Sequence, residues 1–175
     1  MKTGTDIMLD LETLGNRPGA VIVALGAVEF HGGEIIKEFY QRIDAESCVA
    51  LGLKMDVSTV IWWLGQSDSA RREITKPGEP IRNVLSDFAD WIPYDDCRIW
   101  GNGASFDNAL LAEVYQHAKI QLPWKFWNDR CYRTVKNLYP GIPFTFKSGT
   151  QHNALDDAKA QARHLIAILD EHFPF

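Results

Sequence analysis

Residues Asp6 to Thr13, DIMLDLET, set the terms for the rest of the chain. A short apolar run ending in acids reads as an extended strand, and on a strand residues i and i+2 share a face. Asp10 and Glu12 therefore project side by side, from a strand whose other positions are Met8, Leu9 and Leu11. Two like charges that close repel, and burying them unpaired is costly. A divalent cation between them is the economical solution. A D-x-E pair alone is also an ordinary solvated strand edge, so the metal reading depends on further ligands downstream.

Two more strand-like runs follow. Ala20 to Phe30 is β-branched and apolar, and Glu34 to Asp44 continues after Gly32-Gly33, which predicts an antiparallel hairpin. The middle of the chain changes character. Asp56-Val57-Ser58 reads as a helix start that continues to Gln66, and Ser67-Asp68 restarts a polar helix to Ile74. Pro77-Gly78 breaks the chain. Residues 79–92 place Ile81, Val84, Leu85, Phe88 and Trp91 at helical spacing. Arg98 to Gly101 is a short strand. Ser105 is the expected N-cap of a helix over 106–119. A short strand is expected within 124–127, and Asn128 or Asp129 should cap a helix to about Leu138. Residues 139–151, with two prolines and two glycines, form a loop, and the last helix spans 153–171. Strands followed by alternating helices and short strands predict an α/β fold with a mixed sheet, in one domain over residues 1–175.

Composition narrows the function. The chain is 46% hydrophobic and 23% charged, ordinary for a soluble domain, with no apolar run of membrane-spanning length. The first residues are not followed by a secretory h-region, which leads us to expect the cytoplasm. Cys48, Cys97 and Cys131 are odd in number and form no C-x-x-C pair, so neither a zinc ribbon nor a disulfide framework is expected. A net charge of −5 disfavours a protein held to nucleic acid by a basic surface. It does not disfavour an enzyme whose acids engage phosphate through metal.

Two further acidic sites exist. N-G-A-S-F-D over 102–107 puts Asp107 in the first turn of a helix, where a carboxylate is favoured by the helix dipole in any case. H-N-A-L-D-D over 152–157 puts His152 at a helix start and Asp157 about a turn inside, while Asp156 faces elsewhere.

Together, D-x-E-T, N-x-x-x-F-D and H-x-A-x-x-D resemble, in order and spacing, the three motifs of the DEDDh (DnaQ-like) 3′–5′ exonucleases, which have a ribonuclease H-like fold. Trp62-Trp63, Gln66 and Arg133-Thr134 are similar to the small bacterial and phage exoribonuclease branch. The resemblance implies metal ligands Asp10, Glu12, Asp107 and Asp157, and His152 as general base. It selects Asp157 over Asp156, because the family's acid lies five residues after the histidine. It also implies two Mg²⁺ or Mn²⁺ ions about 3.5–4 Å apart, which stabilise phosphoryl and leaving-group charge. Hard oxygen ligands suit those ions. An imidazole, with an unperturbed pKa of about 6.5, can take a proton from water near neutral pH. The loop Lys147-Ser148-Gly149-Thr150 would let His152 move in on substrate.

The resemblance implies a single-stranded nucleic acid with a free 3′ end as partner, cut to nucleoside 5′-monophosphates, and its narrower branch alone favours RNA. Thr13 and Leu14 are expected beside the 3′-terminal nucleotide. One of Trp62 and Trp63 is expected in the core and the other on a terminal base. Gln66 is expected at sugar or base, and Arg133 or Lys147 at phosphate. Trp124, Phe126 and Trp127 read as core or subunit contact, and many relatives of this fold are homodimers. The rivals are a DNA exonuclease, an inactive nucleic-acid-binding module on the same fold, and a structural α/β domain with solvated acids.

Overall fold

The computed structural model describes residues 4–145 and 152–172. Five strands form one mixed sheet in the order β3-β2-β1-β4-β5. The strands are β1 (Asp6–Thr13), β2 (Ile22–His31), β3 (Glu34–Arg42), β4 (Arg98–Gly101) and β5 (Asp129–Cys131). β1 is central, antiparallel to β2 and parallel to β4. The hairpin between β2 and β3 turns on Gly32 and Gly33, both at positive φ (58° and 86°). Two consecutive left-handed residues match the twist of a tight hairpin, and glycine adopts them without steric cost.

Seven helices complete the described chain: α1 (Ala45–Ala50), α2 (Val57–Leu64), α3 (Asp68–Thr75), α4 (Ile81–Trp91), α5 (Asp107–Ala118), α6 (Tyr132–Leu138) and α7 (Ala154–His172). The predicted stripe of α4 is its buried face. It joins α5 and the odd-numbered residues of β1 (Ile7, Leu9, Leu11) in the larger core. On the other face of the sheet, Met8 and Val28 meet Tyr132 of α6 and Ala158, Ala162 and Leu165 of α7. The alternation of β1 thus divides the sheet into a thick apolar side and a thinner α7 side.

Several local expectations change. α1 is a further helix, capped by Asp44, whose carboxylate accepts from the backbone N–H groups of Glu46 and Ser47. Ser105 does not cap α5: the N-cap position is Phe106, with no side-chain cap, and the backbone N–H groups of Phe106 and Asp107 bond the Gly103 carbonyl instead. Residues 126–128 form a 3₁₀ turn, and the short strand is displaced to β5. α6 consequently starts after Cys131 rather than at Asn128 or Asp129. The Asp129 carboxylate instead accepts from Asn108 and Trp124. The three cysteines are free. Among the described residues, no helix is long and apolar enough to cross a membrane.

Candidate active site

The carboxylates converge where β1 ends. Asp10 and Glu12 leave the face of β1 that looks at α7, one and two positions beyond Met8 on that face. Asp157 arrives from the first turn of α7. Oxygens of Asp10, Glu12 and Asp157 lie within 4.8 Å of one another. Asp107 enters from the start of α5, into the same cavity of about 260 Å³, which Arg133, His152, Asn102 and Gln161 also line.

Two glycines make this convergence sterically feasible. Gly26 on β2 is the register partner of Asp10. A Cβ there would sit 2.2 Å from the backbone carbon of Ala154, so the start of α7 lies directly on the sheet beside Asp10. Gly101 at the end of β4 does the same for α5: a Cβ would sit 2.3 Å from Asn108 Oδ1 and 3.0 Å from Asp107 Cβ. Any larger residue would push a helix, and its carboxylate, away from the site.

The electrostatics are those of acids crowded together and buried. Burial, then the charges of Asp107, Glu12 and Asp157, push Asp10 well above the usual carboxylate range. Burial, then Asp157 and Asp107, push Glu12 up to about 8. Burial pushes Asp107 up to about 7, against hydrogen bonds from the backbone of Leu11 and Asn102 and the nearby charge of Arg133. Burial also raises Asp157, opposed by the backbone N–H of His152, which donates to Asp157 Oδ2 at 2.9 Å. Gln161, one turn beyond Asp157, donates from Nε2 to Asp10 Oδ1 at 2.8 Å. Among the described residues, its buried Oε1 has no donor, and neither has Oδ1 of Asn102. Clustered hard oxygens, mutual repulsion and orphaned acceptors together fit a hydrated divalent cation, whose charge would relieve the acids and whose waters would donate to the amides.

His152 lies at positive φ (63°) just before α7. Its ring packs edge-on against Trp62 and Trp63, with centroids 5.2 and 5.8 Å away. The two tryptophans differ in burial. Trp63 is 2% exposed and donates from Nε1 to the Thr13 carbonyl at 2.8 Å, whereas Trp62 is 47% exposed beside the histidine.

The other residues expected at substrate have these surroundings. Thr13 is buried, its hydroxyl donating to the Gly15 carbonyl, and Leu14 packs on the larger core. Gln66 turns back to donate to the Trp62 carbonyl. Arg133 reaches the cavity rim, within 3.7 Å of the space above Gly103. Lys147 and its loop lie outside the described residues. Trp124 is core, while Phe126 and Trp127 are exposed. Gln161 was not singled out from sequence. Its only local signal is the i+4 spacing from Asp157, which puts both on one helix face.

The family described as the 3′–5′ exoribonuclease Rv2179c-like domain matches residues 5–169. The exodeoxyribonuclease of Enterobacteria phage T4 is 25% identical over 158 residues, covering 74% of this chain and 69% of that protein. The nuclease domain of 3′hExo, a DEDDh family member solved bound to rAMP, is similar with a TM-score of 0.65 and 14% identity, covering 99% of this chain and 96% of that one. E. coli exonuclease I in complex with a dA16 oligonucleotide is similar with a TM-score of 0.70 and 13% identity, covering 98% of this chain but 41% of that one. At these identities the solved structures establish the shared fold.

Proposed function

The chain belongs to the 3′–5′ exoribonuclease Rv2179c-like domain family, and from that premise we propose that its acidic cavity hydrolyses single-stranded nucleic acid from a free 3′ end, with RNA the favoured substrate. It is a 3′–5′ exonuclease of the DEDDh type. The observation that carries the finer reading is the meeting of Asp10, Glu12 and Asp157 with Asp107 and His152 in one cavity.

Asp10, Glu12, Asp107 and Asp157 would hold two divalent cations, Mg²⁺ or Mn²⁺. When bound, these supply charge stabilisation at the scissile phosphate and acidify water. The protein does the rest. Gln161 holds Asp10 in one orientation through its amide N–H. The backbone of Leu11 and Asn102 holds Asp107. The His152 imidazole, braced by two indoles, accepts a proton from the attacking water. The exposed Trp62 ring stacks on the terminal base, and Arg133 meets a phosphate at the rim. Thr13 supports the pocket indirectly, through the carbonyl that fixes Trp63. The products are nucleoside 5′-monophosphates. In the same reading residues 1–175 act as one exonuclease domain in the cytoplasm, and the exposed Phe126 and Trp127 are available to a homodimer contact.

A second reading, DNA as substrate, is favoured by the phage T4 relative, which is an exodeoxyribonuclease. Digestion of matched 5′-labelled RNA and DNA oligonucleotides with Mg²⁺ or Mn²⁺ separates the two. The expected result is a ladder shortening from the 3′ end, faster on RNA. A faster DNA ladder favours the second reading, and binding without cleavage of either would leave a nucleic-acid-binding module.

A further inference from the structure

A polar network beside the cavity has no part in the chemistry proposed above. α3 is exposed and strongly polar, with only Ala70 buried. From it Glu73 turns inward. Its Oε2 accepts from the Tyr40 hydroxyl on β3 and from Asn153 Nδ2, each at 3.3 Å. Lys76 pairs with the other oxygen, and Arg42 lies 3.8 Å from Oε2. Partial burial raises the Glu73 pKa, but the hydrogen bond and charge of Lys76 outweigh it and hold the group below 4.5. Glu73 is therefore ionised at neutral pH and can only accept.

The orientation of Asn153 is set independently. Its Oδ1 accepts from the backbone N–H of Asp156 at 3.2 Å, the bond of an N-cap on α7. That leaves Nδ2 to donate to Glu73 Oε2 and to the Tyr40 hydroxyl that Glu73 itself holds, each at 3.3 Å. Asn153 directly follows His152, which is held in the left-handed region with its N–H on Asp157. Such a backbone persists only where its surroundings over-determine it. The α2–α3 segment thus touches the histidine turn twice: Trp62 and Trp63 brace the imidazole, and Glu73 anchors the next residue.

We infer that Glu73 is a positioning residue: by holding Asn153 it fixes the turn that presents His152, and it ties the seating of the Trp62-bearing segment to the placement of that histidine. The inference rests on the reading of His152 as general base.

Steady-state kinetics on a 5′-labelled oligonucleotide test it, using wild type, Glu73→Ala, Glu73→Gln, His152→Ala and the Glu73→Ala/His152→Ala double variant. Glu73→Ala should lower kcat about tenfold, with KM within about twofold. Glu73→Gln keeps an acceptor oxygen for Asn153 and should restore kcat to within about threefold of wild type. On the His152→Ala background, Glu73→Ala should change kcat by less than about twofold, because its effect acts through the missing imidazole. A full tenfold drop on that background, or an effect confined to KM, overturns the inference. If His152→Ala itself leaves kcat unchanged, the base assignment fails and the inference falls with it. Should Glu73→Ala not fold, Asn153→Ser keeps the helix cap but removes the amide donor, and the same tenfold kcat loss is expected.

Discussion

Ile7, Leu9 and Leu11 point into the larger core, among α4 and α5; the alternate positions Met8, Asp10 and Glu12 point at α7, and only Met8 meets an apolar surface. One eight-residue strand therefore carries a stabilising face and a face that opposes folding. On the first, full burial of aliphatic side chains contributes about 1.5–3 kcal/mol each. On the second, three carboxylates approach within 4.8 Å and all titrate upward. The contrast teaches where stability is sacrificed: the acid end of the α7 contact is tolerable because the apolar end, at Ala158, Ala162 and Leu165, clamps the same helix to the sheet.

The largest expected effect comes from breaking the acid face. Asp10→Asn keeps shape and removes charge, and single-turnover cleavage should fall about 10⁴-fold. Its counterpart on the other face, Leu9→Ala, should cost about 2–5 kcal/mol in denaturant unfolding. At a temperature where it remains folded, its cleavage rate should match wild type. If Leu9→Ala instead abolished cleavage without loss of stability, the division between the faces would be wrong.

The contact that joins the faces comes next. Gly26→Ala places a methyl group into the backbone of Ala154 and should displace the start of α7, with Asp157 and His152. A shift of about 1 Å at reacting groups can cost about 10²-fold, so kcat should fall by that order, with more modest loss of stability. Wild-type kcat in this variant would show that α7 does not need its close approach.

The smallest effect in activity separates the adjacent tryptophans. Trp62→Ala should raise KM by about tenfold, within the 1–3 kcal/mol of a base stack, and leave the melting temperature unchanged. Trp63→Ala removes a buried ring and its bond to Thr13, so it should lose stability first. Equal losses of stability would remove Trp62 from the substrate surface.

The first three strands, the long helices and the Asp10–Glu12 pair were legible because each obeys a period. Asp10 and Glu12 share a face by the two-residue repeat of a strand, and the stripe of α4 follows the helical one. What escaped has no period. α1 is a six-residue helix with Cys48 as its only buried residue. β5 is three residues long, too short for alternation to show, and its true position moved the start of α6. The partner of Gly26 lies at Ala154, that of Asp10 at Gln161, and that of Glu73 at Asn153. Such pairings depend on how the elements pack, which single-chain patterning does not encode. The resemblance to the DEDDh motifs brought the acids together on paper; the fold supplies the glycines and amides that let them approach.

The most direct measurement is a thermal melt of wild type and Asp10→Asn with and without Mn²⁺. Glu12 is raised from 4.5 to about 8, so the cation-free folded protein binds protons that the unfolded chain has released. The contribution of this carboxyl to stability is greatest below about pH 4.5, where it is neutral in both states, and is lost as pH rises through about 8. Above pH 8 the full penalty is present. Mn²⁺ at about 100 times its Kd should then raise the wild-type melting temperature by about 5–10 °C. Asp10→Asn should melt higher than wild type without Mn²⁺ and gain little from it. No shift in wild type, or an equal shift in both proteins, would contradict a cation held by this face of β1.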